Sequence, residues 1–397
     1  MPSTAPKIAI IGGGPAGLTL ARLLQCYEIP STIFEADSSR TARSQGGTLD
    51  IHEDSGQRAL REAGLIEQFT KHMRIEGAAM RIVNTSGKIT MDEGGEAEMS
   101  PHPMETRPEI DRIVLRDILL DSVDASTVHW NHKVARIEPV SGNKFDIHFS
   151  DSVAKGFDIV VGADGTWSRV RPLLMNTQPF YSGIMGLEAH LSSVDEREPD
   201  LGKRVGNGSC FQLGDKKALM SQRNGDGSIR TYAMLRVTEE WIKSCGIDWN
   251  DGQSAKKLLI EKEFSDWDET GKDLIQKSDS DLAVRPLYML PIGTKWDPLP
   301  GVTLIGDAAH VMLPFAGEGV NLAMVDALEL ANKIKLVIGS NGSTTLKDAM
   351  EEFEASMFDR VKKFAEESYN NMEMMFSGET ADEITEKIRA MMGPPPE

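Results

Sequence analysis

The sequence lacks several things that would each have pointed elsewhere. Among 397 residues there are three cysteines, Cys26, Cys210 and Cys245. The number is odd and no two form a C-x-x-C pair. That excludes a disulfide scaffold and a thiol redox motif, and it suits a reducing, cytoplasmic compartment. Positive charge is scarce: 43 Lys and Arg stand against 61 Asp and Glu, a formal net charge of −18. A phosphate backbone or an anionic membrane needs a basic face, so neither nucleic acid nor membrane is an expected partner. No apolar run approaches the roughly 20 residues of a membrane span. No charged segment with a long apolar stretch precedes the first strand, so no signal peptide is expected. His52, His102 and His310 do not stand at a metal-ligand spacing, so no metal site is expected. A hydrolase would want a Gly-x-Ser-x-Gly elbow, and none occurs. What is present is an ordinary globular composition, 40% hydrophobic and 26% charged, long enough for two cores.

The chain alternates between two styles. "KIAIIGGGPAGLTLARLLQCYEIPSTIFEAD" reads as a βαβ unit: a buried parallel strand at Lys7–Ile11, a glycine turn, an apolar-faced helix, and a second strand ending at Glu35. Residues 53–72 read as one amphipathic helix and "RPEIDRIVLRDILLDSV" as another. "TVHWNHKVARIEPV" and "KFDIHFSD" alternate like antiparallel strands. "GFDIVVGADGTWSRVR" is again a buried strand running into a glycine turn. Residues 76–101 look like a short β excursion. Residues 181–280 change to alternating strands, then a helix "SAKKLLIEKEFSDWDE". From 302 the buried-strand-then-glycine style returns, and 344–391 is helical and Met-rich, which reads as core packing with a substrate lid as the alternative. The expected fold is α/β: a Rossmann-like domain with an inserted antiparallel β-sheet domain and a C-terminal bridging helix. Residues 1–75, 102–180 and 281–340 would form the first domain, 76–101 and 181–280 the second, and 341–397 the helix and tail.

Three motifs carry chemistry. Gly12-x-Gly14-x-x-Gly17 lies between a strand and a helix, the context that makes this spacing a dinucleotide fingerprint. The first glycine permits the turn, the second lets a pyrophosphate approach the backbone, and the third lets helix and strand pack closely. The helix N-terminus offers free N–H groups to phosphate. Glu35 suits adenosine ribose hydroxyls and would repel a 2′-phosphate. Asp164 and Gly165 form a second turn after a buried strand; Arg169 and Arg171 behind it face phosphate or are plain surface charge. The third motif is "VTLIGDAAHVMLPFAGEGVN". Asp307, at a strand end, fits the ribityl hydroxyls of a flavin. The backbone from Pro314 to Val320 is nearly bare, because Gly317 and Gly319 flank Glu318. Bare N–H groups at a helix start would stabilise negative charge on the ring of a reduced flavin. His310 reads as packing beside this loop rather than as a base.

In this order and at these positions the motifs resemble the single-component flavin monooxygenases of the aromatic-hydroxylase (p-hydroxybenzoate hydroxylase-like) group. "GGTLDIHEDSGQRALREAGL", "EFSDWDE" and "GDAAHVMLPFAGEGVN" look like the TetX-like tetracycline-inactivating FAD monooxygenases within it. The resemblance spans roughly residues 7–376. It implies that Gly12, Gly14, Gly17 and Glu35 bind the ADP half of FAD and that Arg43 and Arg116 contact its phosphate and ribityl. Gly47 and Asp50 would lie near the isoalloxazine ring. Asp164 would serve the pyrophosphate and NADPH use, and Asp307, Pro314, Gly317, Gly319, Val320 and Asn321 would complete the flavin cradle. Gln212, Lys217, Arg230, Phe315 and Met375 are the candidate substrate contacts. The tetracycline enzymes place a Gln, an Arg and a His on the substrate sheet. The matching positions here are Gly186, Ala218 and Arg230, with Lys217 beside the second, so most polar contacts to tetracycline are lost.

The resemblance implies an enzyme that uses FAD, NADPH and O2 to insert one oxygen atom into an electron-rich aromatic or polycyclic enol, through a C4a-hydroperoxyflavin. Acting as a monomer on a tetracycline-like molecule, it would need no protein nucleophile. Two rivals share the cofactor motifs or the fingerprint: a flavin dehydrogenase or reductase that inserts no oxygen, and a non-enzymatic binding protein of the GDP-dissociation-inhibitor kind.

Overall fold

Ile8–Ile11 has no polar side chain and is buried throughout, as a central strand covered on both faces must be. It sits in the middle of a five-stranded parallel sheet whose order is Val302–Leu304, Ile159–Gly162, Ile8–Ile11, Ser31–Phe34 and Val128–His129. A computed structural model describes residues 6–42, 46–94, 107–340 and 342–392. Helices Pro15–Cys26, Arg112–Ser122 and Gly319–Gly339 pack together in the core of this sheet. A three-stranded antiparallel sheet, Arg136–Val140, Lys144–His148 and Val153–Phe157, brings Phe149 and Phe157 against Phe34.

The second sheet has seven strands, ordered Ala283–Met289, Phe180–Leu191, Ile229–Arg236, Lys217–Arg223, Ser209–Gly214, Met80–Val83 and Ile89–Glu93. Its pairings are antiparallel except that of Ser209–Gly214 with Met80–Val83. Period-two alternation gives it two distinct faces. Leu187, Leu219, Ala233 and Leu235 pack under helices Gly252–Glu263 and Glu269–Gln276. Ile184, Ala218, Met220 and Met234 point the other way, toward Leu313, Met372 and Met375. Helix Leu346–Met375 joins the two halves: Phe353 and Met357 lie in the first core, Met372 and Met375 in the second. The architecture is therefore α/β, with a parallel sheet, a mostly antiparallel sheet and a bridging helix.

The structure corrects several local readings. Residues 53–72 are not one helix: a π-turn at Glu53–Gln57 leads into Arg58–Glu62, and the chain breaks at Gly64 before Ile66–Thr70. Glu109–Asp111 is a strand paired with Thr48–Asp50, and the helix after it starts at Arg112. Val128–His129 joins the parallel sheet rather than an antiparallel one. The helix within "SAKKLLIEKEFSDWDE" ends at Glu263, because Phe264 and Trp267 turn inward as an edge-to-face pair and Asp268 caps the next helix. A boundary at 281 falls before Ala283–Met289, whose partner is Phe180–Leu191 in the larger sheet.

Candidate functional site

The fingerprint and the Asp164 turn form one structure. Gly12 has φ +106°, and a Cβ there would overlap the Ala163 carbonyl oxygen. No L side chain fits, and the reason is the register Ile11↔Gly162, which brings the two loops side by side. A Cβ on Gly17 would overlap the Gly12 carbonyl, so helix Pro15–Cys26 lies hard against its own strand. Gly14, the residue before that helix, has no heavy atom within 4 Å of where its Cβ would stand. The helix N-terminus therefore has open space at Gly14, as an anion site requires. Glu35 is buried, and its two oxygens accept from the Gly13 N–H at 2.5 Å and the Asp37 N–H at 2.8 Å. Its carboxylate thus fixes the glycine turn from the end of the second strand. Arg116 is buried too. It donates to the Arg40 carbonyl at 2.6 Å, lies 3.6 Å from Asp37, and stacks on Trp130, so it holds the loop after Glu35. Arg43 lies outside the described residues.

Arg171 is the residue the sequence reading misjudged most. It is neither surface charge nor aimed at phosphate: it is 1% exposed. Its guanidinium donates to the carbonyls of Ala308 at 2.8 Å, Asp307 at 3.1 Å and Thr166 at 2.8 Å. It therefore clamps the Asp164 turn to the Asp307 turn, and burial lowers its pKa. Arg169 is the exposed one of the pair. Asp164 accepts from the Arg169 N–H at 2.6 Å, and burial raises its carboxyl against the hydrogen bonds that lower it. Asp307 starts the short helix Asp307–His310; it is exposed, and its carboxylate accepts no hydrogen bond among the described residues. An unpaired carboxylate at a strand end suits polyol hydroxyls.

Behind Asp307 lies an ion cluster with no linear signature. Asp326 is 0% exposed and accepts from His310 at 2.6 Å, Arg360 at 2.9 Å and the Gly306 N–H at 3.0 Å. Burial alone would raise its carboxyl; the charge and hydrogen bond of His310, then Arg360 and Gly306, outweigh that and hold it low. His310 packs beside the loop as expected, and it does so as the partner of Asp326.

The segments expected to border the ring meet one another. Pro314–Ala316 is a single 3-10 turn, Gly317 has φ +70°, and helix Gly319–Gly339 follows. The Asp50 carboxylate packs 3.0 Å from where a Gly317 Cβ would stand, and the space around Gly319 is open. Asn321 is fully buried: it accepts from the His52 N–H at 2.9 Å and donates to the Asp50 carbonyl at 2.9 Å. Its side chain stitches strand Thr48–Asp50 to the helix, and Val320 beside it is half-buried. His52 joins Asp50 at 2.7 Å and Glu318 at 3.3 Å. Glu109, opposite Asp50 in the two-stranded ladder, is bonded by Thr48. Burial, with Asp50 and Asp111 adding, raises its carboxyl to about 7 against Thr48 and Arg74.

The substrate candidates divide by strand parity. Gln212 faces away from the Met372–Met375 side and donates to Asp268 at 2.7 Å and the Asn84 carbonyl at 3.0 Å. Lys217 also faces away, toward Glu263. Neither reaches the face where Arg230, Phe315 and Met375 lie. On that face Gln222, Met220 and Ala218 stand opposite Arg230, Tyr232 and Met234. Arg230 is bonded to Glu188, which also binds Arg285 at 2.9 Å. A Cβ on Gly47 would stand 3.0 Å from the Gln222 amide oxygen and 3.5 Å from the Arg230 side chain, so this polar end abuts the Gly47–Asp50 segment. Phe315 packs edge-to-face on Phe376, and Met375 is buried beside it. Gln222, Glu188 and Arg285 were missed; counting by two from Arg230 and across the register would have found the first two.

The donor set fits FAD: an open helix N-terminus at Gly14, an acid by the ribose region, a free Asp307 and a bare helix start at Gly319. Residues 6–365 match the model of the FAD binding domain family. Monooxygenase asqM of Emericella nidulans is 32% identical over 442 residues, covering 95% of this chain and 97% of that protein. Among solved structures, Klebsiella pneumoniae HpxO complexed with FAD and uric acid superposes with a TM-score of 0.76 at 20% identity, covering 96% of this chain and 91% of that one. Tetracycline destructase Tet(55) gives 0.74 at 19% identity, covering 98% and 95%. At those identities the two structures speak for the fold. The chain belongs to the FAD-binding-domain family of flavoprotein monooxygenases.

Proposed function

We propose that the protein uses NADPH and O2 to place one oxygen atom on a largely apolar, electron-rich polycyclic, phenolic or enolic molecule. The observation that carries the substrate reading is the sheet face above the flavin cradle. Ala218, Met220, Tyr232 and Met234 give it an apolar body, closed by Phe315 and Met375. Gln222 and the Arg230–Glu188–Arg285 group give it a polar end. Two guanidiniums to one carboxylate leave that end net positive, which favours an enolate or phenolate oxygen. A molecule with its oxygen there would lay its rings along the methionines.

FAD, when bound, accepts hydride from the nicotinamide and activates O2. The chain's own residues orient and shield it. Asp307 would accept ribityl hydroxyls, the Gly319 helix start would offer N–H groups to the ring, and the Met-lined face would keep water away. Tetracycline belongs in the first panel of candidates, although Gly186 and Ala218 offer it no polar side chain. The test is NADPH oxidation by FAD-loaded protein with tetracycline and with other phenolic or enolic polycycles, with product mass and peroxide followed together. Faster oxidation with a product one oxygen heavier is expected for at least one polycyclic enol. Unchanged oxidation yielding peroxide across the panel would sink the reading in favour of a reductase.

A further inference from the structure

The cofactor site contains a charged group that neither ligand binding nor packing explains. His52 is 8% exposed and lies just past strand Thr48–Asp50. One ring nitrogen meets Asp50 at 2.7 Å and the other meets Glu318 at 3.3 Å. Both carboxylates belong to segments that would border the flavin ring: Asp50 packs on Gly317, and Glu318 immediately precedes helix Gly319–Gly339. This arrangement works against the pole it occupies. A helix N-terminus favours negative charge on a ligand, while two carboxylates at the same end oppose it. With both ring nitrogens between carboxylates, the imidazole is held as a cation. Burial alone would lower its pKa; the hydrogen bonds and charges of Asp50 and Glu318 overcome that and push it up to about 9. The cluster thus carries a net charge of one negative unit, rising to two when His52 loses its proton.

We propose that His52 is a positioning residue for the cofactor: its imidazolium, clamped between Asp50 and Glu318, offsets carboxylate charge at the pole facing the flavin ring and so sets how readily the flavin takes up electrons. This rests on FAD binding alone and not on the substrate or nicotinamide reading. The neighbouring charges come from every packed element. Glu109 and Asp111 stand on the paired strand, with Arg74 on Asp111, and Glu53 follows on the π-turn with Arg61. They are common to wild type and variants, so a comparison cancels them.

The test is a reductive titration of the FAD-loaded full chain against reference dyes from pH 6.5 to 10.5, read by flavin absorbance, without NADPH or substrate. At pH 7 His52→Gln is expected to lower the midpoint potential and Glu318→Gln to raise it. Wild type and His52→Gln should converge as the pH passes about 9, because wild type then loses the same charge. Parallel or coincident curves for those two proteins would overturn the proposal. Should His52→Gln fail to retain FAD, Glu318→Gln still decides. Loss of one carboxylate must move the bend in the potential to lower pH, and a bend left in place overturns the assignment.

Discussion

The two sheets solve opposite problems with their buried side chains. Around the parallel sheet, charged groups tie distant segments together. Arg171 clamps two loops, Asp326 gathers His310, Arg360 and Gly306, and Glu35 fixes the phosphate turn. Around the larger sheet, the face toward the bridging helix is filled by Met220, Met234, Met289, Met372 and Met375, with polarity confined to one edge. Ion clusters have few geometries, whereas thioether side chains re-pack easily. The first region is held by paired charges, the second by side chains that adjust.

Four experiments would break or sharpen that contrast. The largest effect should come from Asp326→Ala, which leaves His310 without its counter-charge in the core and Arg360 with Glu329 alone. A loss of about 3–5 kcal/mol is expected in chemical denaturation, with FAD release in parallel. A change below 1 kcal/mol would mean the cluster is not the cross-link described. Next is Gly12→Ala, whose strained backbone costs about 2 kcal/mol before the overlap with Ala163 is counted. The readout is flavin absorbance retained after gel filtration, and retention equal to wild type would refute the close approach.

The third is a pH scan of thermal stability. Asp326 is held low, so its contribution is present above the ordinary carboxylate range and fades as pH falls through its folded value. His52 is raised, so its contribution is complete below its ordinary value near 6.5 and is lost as pH rises through about 9. His52→Gln should therefore cost most below pH 6.5 and little above 9; a penalty that is flat with pH would contradict this. The smallest effect on stability belongs to the substrate face. Gln222→Leu should shift stability by no more than about 0.5 kcal/mol while changing which compounds accelerate NADPH oxidation. An unaltered preference would remove Gln222 from the recognition edge.

What could be read in advance follows from how local each constraint is. The fingerprint, the Asp164 turn and the Asp307 turn are legible because each is a buried strand running directly into a glycine turn. Their required geometry is met within a dozen residues. The faces taken by Gln212 and Lys217 were not legible, because a strand flips every side chain with a step of one and nothing in the linear sequence fixes which face is covered. Asp326 and Arg360 meet across separate helices, 34 positions apart, so no spacing announces them. His52 was weighed only as a metal ligand, and its partnership with Glu318 needs the fold to bring 52 and 318 together.

Helix Leu346–Met375 has a consequence for biosynthesis. At about 1.5 Å per residue it runs about 45 Å, carrying Phe353 and Met357 into one core, Arg360 onto Asp326, and Met372 and Met375 into the other. Neither core can close until this segment has left the ribosome. The nascent chain therefore emerges with its nucleotide turn already translated but with Asp326 lacking Arg360 and the methionine face lacking Met372 and Met375. An elongation stall after residue 345 would leave a species that exposes both unfinished cores to chaperones and proteases.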